Sequence, residues 1–355
     1  MASVAGGANI TAGGALRVDA KGDNTSSVTV NVLAVGNGAT IEIGAAYAKT
    51  RVDAYVDNRA TLSVHDLLVD ADARNTASAE VVPLEYASSE SSGAAVGIVV
   101  LDSATNAWVD AAVTVQGDVS VTANTESENT NSAAAEPSSA TGSIIGGGLG
   151  WAKKKLGKQT PAKESGTEKL ELSAAIAFTW SDNDATAYLG SHAVVKAHGD
   201  VDVSASITDD LRISATSTAE NAETGISASI AIARTQDQSR AYIDDGASVD
   251  ASGALSITTR TIIPSPVPDN IWGVLAPDAE TGAGAVIAIL KSTINFEGLI
   301  VPLLTSYTRS GAKAGDASSD DASNPPASTL TVAGSFNFLH YDNASEAWIG
   351  SNARI

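Results

Sequence analysis

The chain has 355 residues, a formal net charge of −20 and no cysteine. A disulfide framework and a thiolate metal site are excluded, and so acidic a surface repels the phosphates of nucleic acid and of anionic membranes. No apolar run reaches the roughly 18 residues that span a bilayer, and no secretory signal opens the sequence, so an exported protein would carry it upstream.

Residues 1–124 read as β-solenoid repeats that begin in mid-repeat. Gly7, Ala8, Asn9 and Ile10, then Gly13-Gly14, then Leu16 and Val18, match the second half of a later copy at Gly246, Ala247, Val249, Gly253, Leu255 and Ile257. A counting mark runs down the whole chain: Ala54-Tyr55-Val56, Ala107-Trp108-Val109, Ala187-Tyr188-Leu189, Ala241-Tyr242-Ile243 and Ala347-Trp348-Ile349. Its aromatics lie 53, 80, 54 and 106 residues apart. A fixed period of this size marks a tandem array.

Residues 125–170 break the period as a basic, Gly- and Lys-rich insertion with room for a short amphipathic helix at 149–156. Trp151, Lys153, Lys154 and Lys155 are its contact candidates, a basic knob on an acidic rod; a solvated loop extruded from one coil is the plainer reading. Residues 171–263 return to regular repeats. Residues 264–327 form a Pro-rich insertion, within which residues 284–289 resemble the opening of a repeat, so the spacing of 106 fits one degenerate copy. Residues 328–355 are a partial repeat that stops in mid-unit, and both ends suggest a piece of a longer chain.

Each copy consists of runs in which Val, Ile, Ala and Thr alternate with small polar residues, punctuated by Gly, Asp and Asn. That alternation predicts strands with one buried face, and the punctuation predicts turns. The small apolar residues suit an all-β, right-handed parallel β-helix of roughly 53-residue repeats, with two coils of about 26 residues in each. An array of β-sandwich modules is the alternative, although sandwiches need larger core side chains.

The acids at presumed turns are the one chemical pattern that recurs. Asp182, Asp184, Asp244 and Asp245 are Ca²⁺ candidates through hard oxygen ligands; Asp as a turn and solubility residue is the plainer reading. The four histidines, His65, His192, His198 and His340, occupy unlike repeat positions. No nucleophile constellation or phosphate loop stands out, so no catalytic residue is assigned. The aromatic column Tyr55, Trp108, Tyr188, Tyr242 and Trp348 is either an exposed ladder for sugar rings or a stack within the seam between coils, and it is expected inside.

The alternating strand, the Ala-aromatic-aliphatic tripeptide, the Gly-Ala-x-Val element and the Gly turn before a (Val/Leu)-x-(Val/Ile) strand together resemble the repeats of very large bacterial exoproteins. The likeness is greatest to the filamentous-adhesin family that includes leukotoxin-like surface proteins, over roughly two thirds of the chain. The resemblance implies a secreted, cell-surface β-helical stalk or extracellular filament used in adhesion, with no enzymatic activity and no cofactor. Expected partners are a second copy, neighbouring segments of the same giant chain, or a cell-surface or glycan ligand. The alternatives are a glycan- or Ca²⁺-binding β-helix module and, last, a carbohydrate-active β-helix enzyme.

Overall fold

The computed structural model describes residues 1–31, 33–35, 39–82, 84–86, 92–135, 170–222, 224–264, 306–314 and 330–355. The chain winds in successive coils. A partial first coil holds β1 (Ala2–Val4), β2 (Asn9–Thr11), β3 (Leu16–Val30) and the short β4 (Leu33–Val35). The next holds β5 (Ala39–Val56), β6 (Thr61–Val64), β7 (Leu67–Val81) and β8 (Leu84–Tyr86). Then come β9 (Ser92–Val109), β10 (Ala112–Val115) and β11 (Val119–Ala135), followed by β12 (Leu170–Leu189), β13 (Val194–Ala197) and β14 (Val201–Ala222). The array closes with β15 (Thr224–Ile243), β16 (Ser248–Ala251), β17 (Leu255–Ile262), β18 (Ser306–Ala314) and β19 (Leu330–Ile349).

Strands of like position stack in parallel, which makes the protein an all-β parallel β-helix. Sheet A runs β1-β5-β9-β12-β15-β19, sheet B runs β2-β6-β10-β13-β16, and sheet C runs β3-β7-β11-β14-β17, with β18 also on β14. Register in sheet A carries Tyr55 onto Trp108, then Tyr188, Tyr242 and Trp348. One repeat is therefore one coil, and the expected division into two coils of about 26 residues is overturned. The reason is strand length: β12 has 20 residues and β14 has 22, whereas strands usually run about 3–10. The spacing of 106 likewise holds no extra coil in sheet A, because β19 lies directly on β15. Within that stretch β18 instead fills out sheet C, pairing with β14 from Ile213 onward. The regular array also extends past residue 124, since β11 stays in register with β14 as far as Ala135.

Sheets A and C face each other across a thin interior, and sheet B closes one edge. Nearest sheet B the interior is apolar, with Val56, Leu62, Leu67, Val109, Val115, Leu189 and Ile243 buried together. Toward the far edge a second apolar group gathers Ala95, Ala133, Ala175, Leu211 and Ile213. Between them lies a polar layer that the period-2 pattern places inside. Asn75 donates to Ser103 Oγ at 2.8 Å, Thr125 to Thr105 Oγ1 at 2.8 Å and Ser127 to Asn183 Oδ1 at 2.7 Å. Buried polar atoms are tolerable only with such partners.

The turn from sheet B to sheet C locks one coil onto the next. Asp66 accepts the backbone N–H of Asp118 at 3.0 Å, Asp118 accepts that of Asp200 at 2.8 Å, and Asp200 accepts that of Ala254 at 2.7 Å. The Asp118 bond holds the Asp66 carboxyl below its ordinary range. Each carboxylate fits only because the next coil offers a glycine there: a Cβ on Gly117, Gly199 or Gly253 would stand 2.0–2.1 Å from the oxygen. Gly199→Ala should therefore destabilise the fold by about 1–3 kcal/mol through overpacking. Gly13→Ala, with nothing within 4 Å of the added carbon, should leave thermal unfolding unchanged.

Candidate functional site

The outer face of sheet A carries the chemistry that sequence reasoning singled out, arranged in three bands across the strands. The band nearest sheet B is the aromatic column. Its expected place inside the rod is overturned. Ala54, Val56, Ala107, Val109, Ala187 and Leu189 point inward and are fully buried, so the aromatics between them point outward by strand alternation. The interior behind them is already filled by Val56, Leu62, Val109, Leu189 and Ile243. Tyr55, Trp108, Tyr188 and Tyr242 are half-buried and Trp348 is exposed.

The five rings stack face to face, with centroids 4.2, 5.8, 4.9 and 4.3 Å apart and planes within 7°. Successive faces cover one another, so the column shows mainly ring edges to solvent. A sugar needs a free face, and the column works better as a spine that ties coils together, at about 0.5–1.5 kcal/mol per pair. Burial pushes the Tyr188 hydroxyl up to about 12 and raises that of Tyr242.

The middle band is charged. Lys49 meets Asp102 of the next coil at 2.5 Å, and Asp53 accepts from Arg51 at 3.0 Å and from Asn106 at 2.9 Å. Asp182 and Asp184 belong here, which corrects their assignment to a turn: they lie in the middle of β12 with Asn183 facing inward between them. Asp182 is in register with Asp102. Partial burial and the neighbouring acids raise the Asp182 carboxyl, and burial raises that of Asp184.

The third band is apolar. Register aligns Ile43, Val96, Ile176, Ile230 and Phe336 in one row and Ala45, Ile98, Phe178, Ile232 and Phe338 in the next. Ile43 is 61% exposed and Phe338 48%. A recess of about 250 Å³ opens where this band meets the charged one, lined by Tyr47, Val100, Leu101, Asp102, Phe178, Trp180 and Asp182. Arg234 places its guanidinium 4.7 Å from the Trp180 ring centre. Small-molecule sites usually measure about 300–1,000 Å³, so the recess suits a single ring with polar groups at its edge. Sequence reasoning missed it because Tyr47, Val100 and Trp180 come together only through register.

The remaining candidates are at turns. Asp244 accepts the N–H of Asp245 at 2.9 Å, and Asp245 accepts from Ser351 at 3.3 Å and from the N–H of Asn352 at 3.4 Å. Asp110 makes the same kind of bond to the N–H of His192, at 2.7 Å. These turn and capping bonds thus occupy one carboxylate oxygen each of Asp244 and Asp245. Among the described residues one group of three acids lies within 4.8 Å, Asp19, Asp70 and Asp72, and Lys21 bridges to Asp72 at 3.2 Å. Trp151, Lys153, Lys154 and Lys155 lie outside the described residues, as does the possible helix at 149–156.

No protein-family model, no curated protein and no solved structure matches the chain.

The spine makes a direct prediction. Tyr188 stacks on two rings, so Tyr188→Ala should lower stability by about 2–4 kcal/mol in denaturant unfolding, while Tyr188→Phe should stay within about 1 kcal/mol.

Proposed function

We propose that this chain is a structural segment of a large secreted bacterial surface protein, an acidic β-helical stalk or fibre that serves adhesion and contact between cells or with matrix. The observation that carries the reading is the unbroken register of sheet A through six strands. Each coil adds about 4.8 Å of height, and at about 3.3 Å per residue the long strands make the coil roughly 60 Å wide. A repeat of some 53 residues therefore contributes broad flanks more than reach, which suits lateral contact. A net charge of −20 keeps such flanks soluble and disfavours anionic partners. The partner inferred first is a second copy or a neighbouring segment of the same giant chain, and the role calls for no catalysis and no cofactor.

Electron microscopy of chains with increasing repeat number tests this: height should grow by about 4.8 Å per repeat at constant width. A particle whose height ignores repeat number would sink the proposal. Deletion of residues 136–169, which begin after β11 and carry most of the basic insertion, should leave the array folded and weaken self-association in sedimentation.

The recess favours a second reading, contact with glycans. Tyr47 and Trp180 sit two strand steps apart with the smaller Val100 between them, a backbone separation of roughly 9.5 Å that leaves a shallow trough for one sugar ring over Val100. Asp102 and Asp182 at its edge can accept hydroxyls. Trp180→Ala should abolish any saccharide binding seen by calorimetry while the chain stays folded; titrations with no heat for neutral and amino sugars would remove this reading.

A further inference from the structure

The polar layer repeats one connection. Asn75, Ser127 and Asp209 share a register column in sheet C, and Ser103, Asn183 and Asp237 share one in sheet A. Asn75 bonds Ser103 at 2.8 Å and Ser127 bonds Asn183 at 2.7 Å, in each case a residue of sheet C reaching to sheet A one coil further on. The next member of this series joins Asp209 to Asp237, so two carboxyls occupy places that a donor and an acceptor hold below.

Both are sealed, Asp209 at 1% exposure and Asp237 at 0%. One oxygen of each is already engaged, Asp209 Oδ1 by Asn129 Nδ2 at 3.0 Å and Asp237 Oδ1 by Asn183 Nδ2 at 2.8 Å. The other two, Asp209 Oδ2 and Asp237 Oδ2, have no hydrogen-bond partner. None of the ion pairs among the described residues involves either group. The charged or titratable groups that bear on them are acids and a phenol, Asp210 beside Asp209, Asp182 on the outer face of β12 and Tyr341 of β19, while the Ser181 hydroxyl lies close enough to Asp209 to offset part of the upward shift.

We propose that Asp209 and Asp237 bind one proton between them, the carboxyl of one donating to the carboxylate of the other through the free Oδ2 atoms, so that the join between their two coils is a pH-sensitive seam. The arrangement restores the hydrogen bond that the two preceding members of the series make and removes the repulsion of two buried like charges. A bound cation fits less well. The unpartnered oxygens at this level are those two, Asn129 Oδ1 and Thr235 Oγ1, short of the 6–8 oxygens that Ca²⁺ takes. Burial and mutual repulsion push Asp209 well above the ordinary carboxylate range and Asp237, mainly through burial, to about 6.

Both shifts are upward, so the folded chain keeps its proton to higher pH than the unfolded chain does. The seam's stability is fully present in acid and is lost as pH rises from about 4 through 6 and beyond. Asp237→Asn supplies an amide that can donate to Asp209 Oδ2 at any pH. It should match wild type near pH 4.5 and raise the unfolding midpoint at pH 8 by on the order of 2–4 °C, and Asp209→Asn should flatten the same profile. A gap between wild type and both variants that does not change with pH overturns the proposal. So does millimolar Ca²⁺ that raises the wild-type midpoint at pH 8 and leaves the variants unmoved. Should one variant fail to fold, the other decides against wild type.

Discussion

Everything in this structure follows from in-register parallel stacking: each residue in the array sees its own counterpart one strand spacing above and below, about 4.8 Å away. A position is therefore selected for how well it sits on itself. Aromatics satisfy that condition by stacking, which is why Tyr55, Trp108, Tyr188, Tyr242 and Trp348 form one column with planes within 7°. Small apolar residues satisfy it by packing, as Ala54, Ala107, Ala187 and Ala241 do at full burial. Charges do not satisfy it, because like would face like. The charged band answers in part, with Lys49 on Asp102 at 2.5 Å; where Asp182 follows Asp102 in the same column, burial and the neighbouring acids raise the Asp182 carboxyl. The turns answer by setting Asp66, Asp118 and Asp200 against N–H groups of the following coil.

Much of this was legible in the sequence. The tripeptide spacing located the coils, and the alternation of apolar with small polar residues named the strands. Two readings failed because a local cue overrode the period. Asp182-Asn183-Asp184 looks like a turn by residue type, yet alternation runs through it unbroken, with Asn183 inward and both acids outward on β12. The aromatic of each tripeptide was expected inside, as a stack in the seam between coils. Its flanking Ala and Val, one residue to either side, had to share the opposite face, and their burial puts the ring outside.

The coil length was misjudged for a related reason. Typical strands of 3–10 residues suggested that a 53-residue unit should be folded twice, whereas a strand hydrogen-bonded on both sides by counterparts of equal length has no need to end early. The recess between Tyr47 and Trp180 was beyond sequence reasoning altogether. Those residues are 133 apart in the chain and meet only because β5, β9 and β12 stack in a particular register.

That register needs a cause of its own, since a slip of two residues along a strand preserves which side chains face inward. Ala, Val and Ser columns would tolerate such a slip at small cost. The polar layer would not. Moving β12 by two residues against β11 would separate Ser127 from Asn183, now 2.7 Å apart, and would take Phe178 O away from Asn131 Nδ2, now at 2.8 Å. Each displacement would leave buried polar atoms unpartnered, at about 1–3 kcal/mol apiece, across a coil whose apolar contacts barely discriminate. Buried polar residues fixing an alignment that apolar packing leaves degenerate is a known use of such groups. In this light the Asn, Ser and Thr of the interior are the element that selects one stacking from several. They account for how a rod built from so few residue types keeps Tyr55 over Trp108 and Asp66 under Gly117.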